Sequence, residues 1–241
     1  MYRGYMKGKI SNMDKDLAFM TEIGNENLAT FVDVLIEKGG ITEALSVSDE
    51  YKAYGKDYSR YWDRIELEFR EFGSNTFINI FGEPNEYKEI LRLVLKKMNV
   101  KFKKVESIEE LEEKLLEKLI HEIWDELEGK DRIEFLKKLE EFNISGLDSL
   151  MNSFKAGGII GASMATLITE AIATTILTKS VVVYTTSFVA QRSLSAFAGP
   201  VGVVLGSTLG IVDITGPAYR VIVPCTILIA AFRKMYNSYE F

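Results

Sequence analysis

The chain has 241 residues, of which 47% are hydrophobic and 27% are charged, and this length is enough for a substantial core. Its net charge of −6 is distributed unevenly, because residues 1–154 carry −9 and residues 155–241 carry +3. The acidic first part argues against nucleic acid as a partner, since phosphate binding needs a basic surface. The basic, apolar second part suits an anionic lipid surface better. We therefore predict an acidic soluble helical domain over 1–148 and an apolar, glycine-rich region over 149–241.

Neither the start of the chain nor its cysteine content suggests an oxidising compartment. The N-terminal sequence MYRGYMKGKISNMDKD contains no apolar run and no small-residue cleavage site, so we expect no signal peptide and a cytoplasmic location. The only cysteine, Cys225, has no partner for an internal disulfide. It lies in an apolar run, and we expect it to be a small buried side chain.

The first 73 residues predict three helical stretches. Residues 14–37 predict two short helical pieces, of which the second ends at the pair Gly39 and Gly40. Residues 42–54 predict a weakly amphipathic helix. The third helix ends at Gly73 and carries an aromatic stripe at helical spacing, made of Tyr58, Tyr61, Trp62, Ile65, Phe69 and Phe72. This stripe is interpreted as core, with a groove for a client helix (Tyr58, Tyr61, Trp62, Phe69) as the alternative.

The stretch from 74 to 106 predicts two helices and a linker. Residues 74–82 predict a helix of about two turns rather than one isolated strand, because an isolated strand is marginal. Glu83 and Pro84 predict the start of a helix that runs to about Met98, since proline is favoured in a first turn. Residues 99–106 predict an extended linker.

The next two helices have clear start signals. Ser107 and Glu110 form a capping box, which predicts a helix from Ile108 to about Glu128. Asp131 predicts the start of a helix that runs to Phe142. Residues 143–148 then predict a turn, and the domain boundary is expected there.

After residue 150 the composition changes. Residues 156–178 contain one charge, Glu170, and residues 193–212 contain none, so both runs are long enough to cross a bilayer as helices. Both are rich in small residues, and two glycine pairs, Gly157 with Gly161 and Gly202 with Gly206, have the spacing that lets helices approach closely.

The two runs predict a helical hairpin, and Gly199 and Pro200 within the second run can break or kink it. The alternative is a buried core hairpin inside a soluble bundle, as in pore-forming bacteriocin domains before insertion. In that case Glu170 needs Lys179, Arg192 or Arg220 as a partner, because a buried charge must be paired.

The string from 216 to 224, GPAYRVIVP, is the most distinctive short motif. Tyr219 and Arg220 are amphipathic residues of the kind that anchor a helix at a membrane interface. The alternative is a Tyr–Arg pair that caps the bundle and satisfies Glu170 or Asp213.

The chain lacks the usual signatures of catalysis. His121 is the only histidine, and a catalytic or metal site built on it would need partners that the sequence does not supply at suitable spacing. No phosphate-binding loop, dinucleotide motif or CxxC is present. We therefore predict no catalytic, cofactor-binding or metal-binding residues, and a protein that is not an enzyme.

The succession of segments resembles a known family. The order FGSNTFINIFG, EYKEILRLVLKKMNV, the Trp124 helix, AGPVGVVL and GPAYRVIVP is similar to that of the YaaW-type family of uncharacterised bacterial proteins. That family is grouped distantly with ubiquinol-cytochrome c chaperones. The resemblance implies no catalytic residues and suggests that the two parts of the chain form one unit.

Together these observations predict an all-α fold: a multi-helix bundle with an amphipathic N-terminal helical domain and a glycine-rich apolar C-terminal helical hairpin. The function that they favour is a non-enzymatic membrane-interacting protein, either a conditional-insertion protein or a pore-forming stress effector, associated with the inner membrane. The alternative is a soluble assembly factor or chaperone that binds a client helix. The expected partners are membrane lipid or a protein, with a homo-oligomer as a further expectation and no nucleic acid.

Overall fold

The computed structural model describes residues 13–39, 45, 48–74, 83–177, 199–206 and 218–239. Every regular element in these ranges is a helix, so the predicted all-α, multi-helix fold is confirmed. The helix expected over 74–82 falls mainly outside these ranges, and the predicted ion-pair partners Lys179, Arg192 and Asp213 fall entirely outside them.

Within each continuous described range, the helices follow one another with short connections. Two are 3-10 helices, Lys15–Thr21 and Tyr58–Tyr61. The α-helices are α1 (Asn25–Gly39), α2 (Asp49–Tyr54), α3 (Trp62–Phe72), α4 (Tyr87–Lys97), α5 (Ile108–Glu126), α6 (Gly129–Glu141), α7 (Leu147–Ala156), α8 (Gly158–Ile176) and α9 (Tyr219–Tyr239). A further helical segment covers 199–206.

Local sequence signals correctly predicted several helix boundaries. The Ser107 hydroxyl accepts a hydrogen bond from the Glu110 N–H at 3.2 Å, and Glu110 Oε2 accepts one from the Ser107 N–H at 2.7 Å, which is the predicted capping box. Gly73 ends α3, and residues 98–107 between α4 and α5 are not helical.

Two helix starts differ from the prediction. Helix α4 begins at Tyr87 rather than at Pro84, because the Pro84 and Asn85 carbonyls accept hydrogen bonds from Arg70 of α3 and are unavailable for a first turn. Helix α6 begins at Gly129 rather than after Asp131, and its first backbone bond runs from the Arg132 N–H to the Glu128 carbonyl.

Helix α9 lies at the centre of the fold. Every residue from 221 to 232 is buried, and α9 packs against α1, α3, α4, α5 and α8. The helix continues through Pro224. A helix that is apolar on all sides needs a complete coat of other helices, and each large side chain buried in this way contributes roughly 1.5–3 kcal/mol. The division at residue 148 stays a prediction, but the contacts of α9 cross it.

Candidate functional site

Helix α8 is the most apolar surface element of the described chain. Its 19 residues include one charge, Glu170. Among the described residues it is the one helix long and apolar enough to cross a bilayer, although more than half of its apolar window is buried and a core helix of a soluble protein has the same properties. Ile159 in its first turn is 77% exposed.

Two glycines separate α8 from α7. Gly157 has φ +79° and Gly158 has φ +59°, which is the left-handed region that glycine enters without strain. A Cβ at either position would meet no atom within 4 Å, so backbone conformation and not packing requires glycine here. Gly157 therefore serves as a junction between two helices rather than as part of a packing seam.

One glycine of each predicted pair makes a close packing contact. A Cβ on Gly161 would lie 3.2 Å from Lys234 Cε of α9, and a Cβ on Gly202 would lie 3.3 Å from Thr175 Cγ2 of α8. No atom of the described residues lies within 4 Å of a Cβ built on Gly206, and close small-residue packing between membrane helices stays a prediction.

Gly199 and Pro200 lie in a helical segment that the structure describes over 199–206. Where this segment begins lies outside the described ranges, so a helix break at Gly199 and Pro200 stays a prediction. Their predicted effect on the rest of the 193–212 run concerns residues outside the described ranges.

Glu170 is half-buried on α8. Its Oε2 atom is shielded from solvent and has no hydrogen-bond partner within the described part of the chain. Of its three expected partners, Arg220 is engaged elsewhere, since its Nε donates to the Lys38 carbonyl at 3.0 Å.

Tyr219 and Arg220 link the start of α9 to two other helices. The bond from Arg220 reaches the last turn of α1, where a cation is favourable next to the free carbonyls. The Lys97 ammonium at the end of α4 lies 5.2 Å from the centre of the Tyr219 ring. These contacts do not include Glu170, which the bundle-cap interpretation named as a partner, and Asp213 lies outside the described ranges. The bundle cap and the membrane-interface anchor both stay predictions.

The aromatic stripe is core. Tyr58, Tyr61, Trp62 and Phe69 are each at most 3% exposed, and Phe31 of α1 packs edge-on against both Trp62 and Phe69. Helix α1 of the same chain covers this face, so these four residues form no open groove in this structure, and a client groove at them stays a prediction.

A buried polar network, which the sequence analysis missed, joins the N-terminal helices to α9. Arg233 of α9 donates through Nε to Glu112 Oε2 of α5 at 2.7 Å, and the Tyr87 hydroxyl of α4 donates to Glu112 Oε1 at 2.7 Å. Arg233 also bonds the Asp16 carbonyl and lies 4.0 Å from the centre of the Phe19 ring. The network therefore ties α9 to α4, α5 and the N-terminal 3-10 helix.

Arg233 and Glu112 attract each other, but burial raises the pKa of the Glu112 carboxyl in spite of the lowering effects of Arg233 and the Tyr87 hydroxyl. Burial alone would lower the pKa of Arg233, but Glu112 and Tyr87 together hold it above its ordinary value. Burial also raises the pKa of the Tyr87 hydroxyl well above 10.0, and the adjacent Glu112 carboxylate acts in the same direction. Arg233 is thus held charged and Tyr87 is held neutral.

The network continues towards α3. The Tyr87 N–H donates to Asp14 Oδ2 at 2.6 Å, and the Asp14 N–H donates to Glu66 Oε1 at 2.9 Å. Arg70 Nη1 also donates to Glu66 Oε1, at 3.0 Å. One sequence signal could have revealed these residues: Glu112 lies on the apolar face of α5, at i+4 from Ile108 and i−4 from Leu116, both of which are buried.

Other candidate groups do not assemble into a site. His121 is exposed on α5, and the described ranges contain no group of three or more His, Cys, Asp or Glu residues placed to hold a metal ion. Cys225 is fully buried in α9, and burial raises the pKa of its thiol.

Comparison with known proteins identifies the family. A UPF0174 protein of Helicobacter pylori strain J99 is 33% identical over 231 residues, which cover 91% of each chain. This chain is a member of the UPF0174 family. The UPF0174 protein YaaW of Escherichia coli strain K12 is 27% identical over 236 residues, covering 93% of this chain and 96% of YaaW. The resemblance to the YaaW-type family is therefore confirmed.

Membership of UPF0174 gives the relationship but no activity. No family model matches the chain, and no solved structure matches it. The function of this UPF0174 chain must therefore be argued from its own residues.

Proposed function

We propose that this UPF0174 chain is a non-enzymatic, membrane-interacting protein in which α8 enters a bilayer while the bundle around α9 stays folded. The observation that carries the proposal is α8 itself, a helix of 19 residues with one charge on a half-buried position. At 1.5 Å per residue such a helix is roughly 30 Å long, which is about the thickness of the hydrocarbon core.

Two opposing terms in the insertion energy of α8 are similar in size. It contains six Ile or Leu residues, and each contributes about −0.3 to −0.6 kcal/mol at the centre of a membrane helix. A central acidic residue costs about 2.5–3.5 kcal/mol, so the cost of Glu170 roughly cancels that gain. A helix near balance inserts under some conditions and not others, which supports conditional rather than permanent insertion.

The junction before α8 allows this helix to change direction relative to α7. Gly157 and Gly158 can absorb a change of backbone direction, and on the far side of that junction Lys155 of α7 pairs with Glu117 of α5 at 3.0 Å. The ion pairs of Arg233 and Lys234 with α5 hold α9 in the bundle. Helix α8 packs more extensively against α9 than any other two described helices pack against each other, so its entry into a bilayer must replace that apolar contact with lipid.

Flotation of the full-length protein with phospholipid vesicles, followed by a carbonate wash, tests the proposal. The full chain is required because α9 supplies the core for the N-terminal helices. We expect a fraction of the protein to float and to resist the wash, because an inserted helix is not released by alkaline buffer.

A pair of matched variants separates insertion through α8 from nonspecific adsorption. Ser163 is exposed on α8, so Ser163→Lys is compatible with the soluble fold but adds a charge that must enter the bilayer. We expect it to lower the wash-resistant fraction on the order of ten-fold or more. His121→Lys on exposed α5 should leave that fraction unchanged. Wild-type protein that stays in the soluble fraction with every vesicle composition and pH tested would refute the proposal.

A further inference from the structure

The segment between α4 and α5 concentrates positive charge on an acidic protein. Residues 92–105 include six basic residues and no acidic one, whereas residues 107–141 include 13 acidic and six basic residues. The sequence predicts only an extended linker over 99–106. A local excess of this size on a chain of net charge −6 produces a strongly oriented electrostatic field.

The fold presents this charge as a cleft. Segment 98–107 runs back along the outer face of α4, and together they form a cleft of about 750 Å³. Its walls carry four basic side chains, two partly buried apolar ones and one acidic one: Arg92, Lys96, Lys101, Lys104, Val100, Phe102 and Glu89. We call this the basic cleft.

The backbone of the basic cleft is fixed in place. Val100 and Phe102 pack against the core, and Arg92 of α4 donates to the Lys104 carbonyl at 2.7 Å while pairing with Glu89. The Lys103 N–H donates to Glu106 Oε2 at 3.0 Å. The segment is therefore a preorganised surface and not a loose tether.

Three of the lysines are available to a partner. Lys96, Lys101 and Lys104 are exposed, and no ion pair involves them in the part of the chain that the structure describes. Glu106, the nearest acidic residue that follows, is paired with Lys114 at 2.5 Å, so its charge does not cancel theirs. Arg92 and Glu89 form an ion pair with each other, and the hydrogen bond from Arg92 to the Lys104 carbonyl holds the segment against α4.

An apolar side chain stands next to these charges. Val105 is 89% exposed, directly after Lys103 and Lys104. An exposed aliphatic residue beside lysines fits a surface that offers phosphate groups above a hydrocarbon layer. It adds nothing to the recognition of a nucleic-acid backbone, which is bound through phosphate charge.

We propose that the basic cleft docks this protein onto anionic phospholipid, with Lys96, Lys101 and Lys104 on the headgroup phosphates and Val105 in the interface. The inference deepens the proposed function and rests on it for the choice of a bilayer as the partner. Docking through the basic cleft precedes entry of α8 and gives it lipid selectivity.

The test is vesicle flotation of the full chain with phosphatidylcholine alone and with phosphatidylcholine mixed with an equal amount of phosphatidylglycerol. The test variant is the triple Lys96→Gln, Lys101→Gln, Lys104→Gln. The control is the triple Lys52→Gln, Lys130→Gln, Lys137→Gln, which makes the same charge change at exposed lysines on α2 and α6. All six side chains are exposed, so both variants are expected to fold, and circular dichroism checks this.

We expect binding of wild type and control to rise strongly with phosphatidylglycerol and to fall with added salt. Each lysine near an anionic surface contributes roughly a five-fold factor, so the test triple should bind anionic vesicles on the order of a hundred-fold more weakly. Val105→Ser should weaken binding several-fold at unchanged charge, since it removes apolar contact with the interface.

The same proteins are also titrated with a double-stranded DNA oligonucleotide. The inference is overturned if wild type and the test triple bind anionic vesicles equally, or if both triples lose vesicle binding to the same extent. It is also overturned if the test triple loses binding to the oligonucleotide but not to the vesicles. Docking is measured by flotation, and entry of α8 by the emission of an environment-sensitive fluorophore on Ser163→Cys. A failure of docking is thereby distinguished from a failure of insertion.

Discussion

The buried pair between Glu112 and Arg233 gives the sharpest stability prediction. The change is Glu112→Gln, which removes the negative charge but keeps an acceptor for the Tyr87 hydroxyl. The Glu112 and Arg233 side chains are 4% and 13% exposed, and they are joined at 2.7 Å. Removing one partner of such a pair leaves a buried charge without compensation, which costs about 3–5 kcal/mol.

Urea denaturation, followed by circular dichroism and by the fluorescence of Trp62 and Trp124, measures this cost. With a slope of about 3 kcal/mol per molar urea for a chain of this size, we expect the midpoint to fall by roughly 1–1.7 M. The matched control is Glu122→Gln on the same helix, whose partner Lys118 is 38% exposed. A partly exposed pair contributes about 0–1 kcal/mol, so the control should stay near wild type.

A double-mutant cycle then identifies the cause. Arg233→Met removes the other charge and leaves an apolar side chain against the Phe19 ring. We expect Glu112→Gln with Arg233→Met to cost at least about 2 kcal/mol less than the sum of the single changes, because the double variant buries no unpaired charge. Single changes within about 0.5 kcal/mol of wild type, or strictly additive changes, would refute the reasoning.

Three further predictions concern packing, alkaline pH and the charge on α8. Gly73→Ala should destabilise the fold by about 1–3 kcal/mol in urea denaturation, because its Cβ would lie 2.5 Å from two atoms of the buried Ile90 side chain; Gly206→Ala, with no atom within 4 Å, should cost nothing. Burial raises the pKa of the Tyr61 hydroxyl from 10.0 to about 12. The stability that the neutral hydroxyl contributes is therefore complete below pH 10 and is lost as the pH rises through 12. Tyr61→Phe should reduce the loss of stability between pH 10 and 12, and a pH profile of stability identical to wild type would contradict the assignment to Tyr61. Glu170→Gln should increase the wash-resistant fraction on vesicles about ten-fold or more, because it removes the only charge of α8; an unchanged fraction would mean that this carboxyl does not oppose insertion.

The helices were predictable where the sequence carries local signals. The capping box at Ser107 and the glycine at 73 act within a single turn, so they are visible without the fold. The start of α4 was misplaced because its cause is distant: Arg70 of α3 holds the Pro84 and Asn85 carbonyls outside any helix. A contact across 14 or more residues leaves no mark in the local pattern.

The candidate sites were harder to predict, because charge pairing is a property of the packed bundle. Glu112 and Arg233 are separated by 121 residues and lie on segments that the sequence analysis assigned to different regions. The spacing of the aromatic stripe correctly predicted a helix that ends at Gly73. Whether another helix covers the stripe depends on the position of α1, which local spacing does not reveal. The basic cleft has a clear sequence signal in residues 92–105, which was overlooked because the net charge was averaged over residues 1–154.

The most direct test of the central claim compares two fluorophore positions on protein bound to anionic vesicles that contain a lipid-chain quencher. One probe is placed on α8 by Ser163→Cys and the other on α5 by His121→Cys; the native Cys225 does not compete for the label because it is fully buried. The account predicts blue-shifted, quenched emission from the α8 probe and unchanged emission from the α5 probe. Unchanged emission from the α8 probe on vesicle-bound protein, or equal quenching at both positions, would contradict it.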